Sequence, residues 1–399
     1  MKKTFKSVLS LLLCATMISG LMIFAGADDA LTAKPLYFNK DGRFRILHIT
    51  DTHLSADNVK NSTRLIALAC DAEKPDLIML TGDIASQNTL EETKKYVDEL
   101  MTVFETRGIP VAVTFGNHDS ENGAYTREQV MALYNNFSCS ISIDDGDALT
   151  GCGTYLVPLY SHGGSEPVFN LWVFDSGDYD GEDHYANTAE DQVKWYREKS
   201  AEIEKQCGKK IYSLAFQHII VPEIYDALEK TDVKGAFTYK RIYYDDEYYR
   251  FSKDAVNYGM FHEMPCPGYY NHGQFEAMAE RGDVLAVFSG HDHTNAFGVK
   301  YKGIDIVNSL STRYNGDAFS TQYGYRVLDL DEKTPDKYKT RVVRWYDFVN
   351  SEEAKAVSDK GDSGLFAEIR FLGFFEKTFT DISVFFTELF TGRTVRYPD

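Results

Sequence analysis

Five short polar motifs stand out in this chain of 399 residues: Asp51-Thr52-His53, Gly82-Asp83, Gly116-Asn117-His118-Asp119, His218, and Gly290-His291-Asp292-His293. Half of the chain's 10 His fall within them. In Asp51-x-His53 and His291-x-His293 the donors are two residues apart, a spacing that aims both the same way from an extended segment. Neutral imidazole nitrogens with carboxylate and amide oxygens suit Zn, Fe or Mn, and the motifs contain no thiolate of the kind that holds a purely structural zinc. The donors are too many for one ion. Two ions sharing a carboxylate sit about 3.5–4 Å apart, an arrangement suited to in-line displacement at phosphorus. Singly, each motif has a plain structural reading: a Gly-Asp turn, a turn-forming Asn, a His satisfied in the core. Their combination carries the metal reading.

Donors so far apart in sequence need a rigid frame, and the chain alternates β-type runs with helical stretches from about Arg43. Strands are expected at Phe44–Thr50, Asp76–Thr81, Val111–Phe115, Phe169–Asp175, Ile211–Gln217, Val284–Ser289, Ile304–Asn308, Tyr323–Asp329 and Thr340–Trp345. Helices are expected at Lys60–Glu73, Leu90–Arg107, Thr126–Asn135, Glu190–Gln206 and Gly273–Arg281. The early strands are continuous apolar runs, as in strands covered on both faces. Most motifs directly follow a strand, where α/β proteins form their ligand crevices. The late strands, without long helices between them, suggest a second and more antiparallel sheet.

The ordered series Asp51-x-His53, Gly82-Asp83, Gly116-Asn117-His118-Asp119, His218 and Gly290-His291-x-His293 resembles the calcineurin-like metallophosphoesterase superfamily. Asn61-Ser62-Thr63-Arg64, Asp175-Ser176-Gly177-Asp178-Tyr179, Phe216-Gln217-His218 with Pro222-Glu223, and Asn295 are similar to its plant and fungal branch labelled purple-acid-phosphatase-like. The resemblance implies a four-layer αββα sandwich, two mixed β-sheets flanked by helices. It implies one metal held by Asp51, His53, Asp83 and His293, and a second held by Asp83, Asn117, His218 and His291, with Asp83 bridging. A hydroxide held between the metals would attack phosphorus in line. His118 is the candidate to protonate the leaving oxygen, with Asp119 orienting its ring. Asp178, Tyr179 and Arg64 are candidates to line the cleft, while His48, inside the first strand, reads as a core histidine. One departure matters. Purple acid phosphatases carry a Tyr ligand three residues after the bridging Asp; here that position is Ser86, so a colourless centre is expected.

A formal charge of −18, or −21 without the three Lys of residues 1–27, argues against a non-specific nucleic-acid binder. Metal ions would offset that field for an anionic ester. The function expected is hydrolysis of a small phosphomonoester; a phosphodiesterase or nucleotide hydrolase would use the same ligands, and a non-catalytic metal-binding surface protein is the rival from another class. A zinc peptidase is disfavoured, because no H-E-x-x-H is present.

Lys2, Lys3 and Lys6, the apolar run Val8–Phe24 and Ala25-Gly26-Ala27 read as a secretory signal over residues 1–27, with an uncleaved anchor as the alternative. The protein is therefore expected to be secreted or at the cell surface. Residues 28–350 form the expected catalytic domain and 351–399 an extension whose Leu365–Phe390 stretch is an amphipathic helix, packed on the domain or against a membrane surface. Phe237–Asn257, dense in Tyr and charge, reads as a surface loop or lid. Five Cys remain after residue 27 without a C-x-x-C pair; Cys139 and Cys152 are close enough in sequence to bridge a loop in an oxidising compartment, with isolated thiols as the equal alternative.

Overall fold

The computed structural model describes residues 31–121, 124–144, 148–235, 237–252, 257–314 and 322–391. The segment expected as a secretory signal, residues 1–27, lies outside them. Two mixed sheets lie face to face. The smaller has the order β16-β15-β2-β3-β4, built from β2 (Arg43–Ile49), β3 (Leu77–Thr81), β4 (Val111–Thr114), β15 (Gly324–Asp331) and β16 (Tyr338–Arg344). The larger has the order β1-β5-β6-β7-β12-β14-β13-β11. Its strands are β1 (Leu36–Tyr37), β5 (Tyr155–Tyr160), β6 (Pro167–Val173), β7 (Ser213–Phe216), β11 (Asn257–Met260), β12 (Val284–Ser289), β13 (Ala296–Tyr301) and β14 (Ile304–Asn308).

Strand alternation sorts the side chains into layers. Along β2, Phe44 and Ile46 enter the core between the sheets with Val157, Leu214, Phe216, Ala286 and Phe288. Leu47 and Ile49 point the other way, into a core shared with helices α1 (Val59–Glu73), α2 (Leu90–Glu105) and α3 (Arg127–Tyr134). Helices α4 (Glu190–Cys207) and α5 (Gln274–Arg281) cover the outer face of the larger sheet through Tyr196, Ile203, Phe275 and Met278. The helix–sheet–sheet–helix order is the expected αββα sandwich. His48 is the core histidine read from the sequence: its ring packs edge-on against Phe216 and Phe288, and its nitrogens meet Ser309 and Thr81 hydroxyls.

The late strands do not form a sheet of their own. β14 pairs parallel with β12, and β15 pairs antiparallel with β2, where Asp329 stands opposite Arg45 and accepts from its Nε at 2.7 Å. That charged pair fixes a register between segments 284 residues apart. Strands β5 and β13 are not expected from the sequence, because Pro158 and Gly298 interrupt their patterns. The segment expected as a surface loop holds β9 (Tyr239–Lys240) and β10 (Tyr248–Arg250), which form a small sheet with β8 (Glu229–Thr231); strands of two or three residues leave no period to read. Cys139 and Cys152 are both free thiols rather than a bridge.

After β16 come α6 (Trp345–Asn350), α7 (Glu352–Val357) and α8 (Ser363–Thr391). Phe366 and Ile369 of α8 are buried in the helix layer over the smaller sheet, and Gly373 lies so close to Tyr346 that an added Cβ would stand 2.2 Å from its ring. Arg370 donates to the Val349 carbonyl. Arg64, expected near the cleft, instead binds Asp362 at 2.7 Å and ties α1 to this extension. Beyond Arg370, α8 turns Phe371, Phe374, Phe375, Phe379, Phe385 and Phe390 outward. Among the described residues no helix is long and apolar enough to cross a membrane.

Candidate metal centre

All five motifs leave strands that run parallel within their own sheet, so their loops gather at one edge of the sandwich. Asp51 and His53 follow β2, Asp83 follows β3, and Asn117 and His118 follow β4, all from the smaller sheet. His218 follows β7 and His291 and His293 follow β12, from the larger one. Backbone hydrogen bonds lock the loops together: Asp51 N to Gly82 O at 3.0 Å, His53 N to Asp83 O at 3.0 Å, and Gly290 N to His218 O at 3.0 Å. Gly116 permits a close approach to the donors themselves, since a Cβ there would sit 2.3 Å from Asp83 Oδ1.

Four of the gathered donors stand in the left-handed backbone region: Asp51 at φ 53°, His53 at 42°, Asp83 at 53° and His291 at 70°. Each non-glycine residue held there costs about 1–3 kcal/mol, a strain that persists where surrounding structure enforces it and that clusters at functional sites.

The side chains form two groups sharing one carboxylate: Asp51, His53, Asp83 and His293, and Asp83, His218 and His291. Asn117 Oδ1 lies 3.2 Å from His218 Nε2, which brings it beside the second group. The separations are 3.0 Å between the Nε2 atoms of His53 and His293, 3.4 Å from His293 Nε2 to Asp51 Oδ1, and 3.2 Å from His218 Nε2 to Asp83 Oδ2. Donor atoms bound about 2.1 Å from a common ion stand roughly 3.0–3.4 Å apart. Asp51 Oδ1 and Asp83 Oδ2 are buried and accept no well-formed hydrogen bond; they face the Nε2 atoms of His293 and His218. Their sister oxygens are satisfied: Asp51 Oδ2 accepts from Thr50 Oγ1 and His291 N, and Asp83 Oδ1 from His118 N. Buried anionic oxygens left bare in this way are costly unless a cation meets them. The donor set fits two metal ions.

Charge balance in the metal-free protein agrees. Burial opposes protonation of His218, but the Asp83 and Asp51 carboxylates outweigh it and hold the imidazole pKa up at about 10. Burial pulls His53 down to about 4 and His291 to about 3, leaving both rings neutral at pH 7 and ready to bind. His218 Nδ1 lies 2.8 Å from the Thr81 carbonyl, which fixes Nε2 as the metal-facing nitrogen.

A family model for calcineurin-like phosphoesterase matches residues 44–295, the span that carries every motif. The chain belongs to that family. Among relatives, the chain is 27% identical over 367 residues to "Probable inactive purple acid phosphatase 14" of Arabidopsis thaliana, covering 83% of this chain and 84% of that one. It is 26% identical to "Probable inactive purple acid phosphatase 29" of the same plant, over 76% and 82% of the two chains. It is 25% identical to "Phosphatase DCR2" of Saccharomyces cerevisiae, over 66% and 46%. A dimetal phosphatase structure from Danio rerio aligns over 75% of this chain and 95% of its own at 13% identity, with a TM-score of 0.48.

Two expectations about the site residues differ from the structure. Asp119 does not orient the His118 ring: its Oδ2 accepts from Asp83 N and Gly116 N, each at 2.8 Å, and its Oδ1 from Ile84 N. It clamps the two ligand loops together. The partner of His118 Nδ1 is Glu121 Oε2 at 2.5 Å, a residue with no signal in the sequence, since loop spacing has no period. Of the cleft candidates, Tyr179 reaches the site, its hydroxyl 3.4 Å from Asn117 Nδ2, whereas Arg64 does not. Asp178 lies 3.7 Å from Arg127. Asp292 points away from the metal donors and accepts from Cys266 N and Asn295 Nδ2.

Proposed function

We propose that this phosphoesterase hydrolyses small phosphate monoesters with two metal ions, one held by Asp51, His53, Asp83 and His293 and one by Asp83, Asn117, His218 and His291. The observation that carries this reading is the pair of buried oxygens, Asp51 Oδ1 and Asp83 Oδ2, surrounded by imidazole nitrogens. Bound there, two cations would neutralise phosphoryl charge and lower the pKa of water towards neutrality. Mn, Fe and Zn all suit the donors. His118, beside the centre with its ring 5.6 Å from that of His53, is the group to donate a proton to the leaving oxygen. The sequence reading of residues 1–27 would put this activity outside the cytosol.

The plant relatives named probable inactive favour a second reading, a scaffold that binds metal without turnover. One experiment separates the two. Protein lacking residues 1–27 is stripped of metal, reloaded with Mn, and assayed on a chromogenic monoester and the matching diester beside Asp83→Asn. Metal-dependent turnover lost in the variant supports the hydrolase, and the preferred ester decides between monoesterase and diesterase. Two bound metals without turnover of either ester supports the scaffold.

A further inference from the structure

Arg127, the first residue of α3, bridges the loop after β4 and the loop after β6 through a buried ion pair. Arg127 Nη1 contacts Asp175 Oδ1 at 2.5 Å, and its Nη2 donates to the Gly116 carbonyl at 2.9 Å. Asp175 also accepts from Gly177 N at 2.9 Å, setting the start of the loop that carries Tyr179. On this frame a polar chain runs between the loops. Glu121 Oε2 meets His118 Nδ1 at 2.5 Å, Glu121 Oε1 accepts from the Tyr179 hydroxyl at 3.1 Å, and that hydroxyl accepts from Asn117 Nδ2 at 3.4 Å. Tyr179 is braced in turn, since its ring stacks on Tyr185 at 5.5 Å and Tyr185 meets His291 edge-on at 4.3 Å.

We propose that Glu121 is the positioning residue for His118 and that Tyr179 holds Glu121 in place, a role the neighbouring Asp119 cannot fill because its oxygens serve the backbone. A carboxylate on Nδ1 keeps that nitrogen a donor and turns Nε2 outward to the leaving group. In ester hydrolysis the phosphorus–oxygen bond to the leaving group breaks and its electron pair stays on that oxygen. The Nε2 proton forms the new O–H bond, and the attacking water supplies the proton that restores the ring. Help of this kind matters in proportion to the basicity of the leaving oxygen: an alkoxide needs the proton and a nitrophenolate hardly does.

The inference rests on the hydrolase reading, and the test separates their failures. Mn-loaded Glu121→Ala, Glu121→Gln and Tyr179→Phe are assayed on an alkyl monophosphate and on 4-nitrophenyl phosphate. For Glu121→Ala, kcat on the alkyl ester is expected to fall about 10- to 100-fold with little change in KM, against about threefold or less on the aryl ester. Glu121→Gln, which keeps an acceptor oxygen, should recover part of the loss, and Tyr179→Phe should cost about fivefold on the alkyl ester. Independently of activity, the Nδ1 proton of His118 in the unsubstituted protein should give a downfield NMR resonance that Glu121→Ala abolishes. Equal losses on both esters, no loss on either, or a resonance that survives Glu121→Ala would each overturn the proposal. If the unsubstituted protein hydrolyses neither ester, the hydrolase reading falls, and the resonance still decides whether Glu121 holds the ring.

Discussion

His218 sits between two carboxylates in a buried site, and a proton there does part of a cation's work. The metal-free protein therefore carries His218 protonated at neutral pH, because its pKa is held near 10 by Asp83 and Asp51 against burial. A metal ion must displace that proton. Loading at pH 7 to 8 should release about one proton per molecule, measurable by calorimetry in buffers of different ionisation enthalpy, and affinity should rise about tenfold per pH unit up to the His218 pKa. Affinity independent of pH over that range would exclude His218 from the ligand set. A second expectation at this scale concerns Ser86, which stands where purple acid phosphatases carry a Tyr ligand. The iron-loaded protein should lack the visible charge-transfer band of an iron–phenolate bond; a purple solution would mean that another Tyr reaches the centre.

At the scale of elements, α8 divides into a docked start and an outward-facing remainder. Ile369 is 2% exposed within the helix-layer core and Phe379 is 73% exposed. Ile369→Ala should destabilise the protein by about 2–5 kcal/mol in urea unfolding, whereas Phe379→Ser should leave the midpoint within about 0.5 kcal/mol. Equal effects would mean that the outer face is covered in solution. The docking also depends on pH. The hydrogen bond from Arg64 holds the Asp362 carboxyl below its ordinary range, with burial opposing it. A lowered carboxylate pKa contributes stability that is fully present above about pH 4 and is lost as pH falls through the lowered value. The extension should thus become susceptible to proteolysis below pH 4 before the sandwich unfolds, and Asp362→Asn should be susceptible already at pH 7.

For the whole molecule, the metal centre joins the two sheets, because Asp51 and Asp83 come from one and His218, His291 and His293 from the other. Metal should accordingly stabilise the entire sandwich. At about 100 times the dissociation constant it adds roughly 2.7 kcal/mol to the unfolding free energy. Adding Mn to the stripped protein should raise the melting temperature, and Asp83→Asn should lose most of that rise. A rise that persists in the variant would show that metal binds elsewhere.

The motifs themselves were legible in sequence, since each donor lies next to a strand end and the apolar runs announce those strands. Their order along the chain was enough for the family resemblance, and residues 44–295 match its model. What chain order could not supply was contact across loops. Asp119 adjoins His118 in sequence, yet it folds back onto backbone amides while Glu121 takes the ring. Arg64 lies in a stretch read from the sequence as similar to the phosphatase branch and near the cleft, yet its partner is Asp362, 298 residues away. Likewise β15 reads as a late strand of its own sheet until Asp329 meets Arg45. Local chemistry and periodicity determine which residues can bind metal and which segments are extended. Which partners they find depends on long-range packing, where the backbone positions of distant loops decide hydrogen bonds that no short window contains.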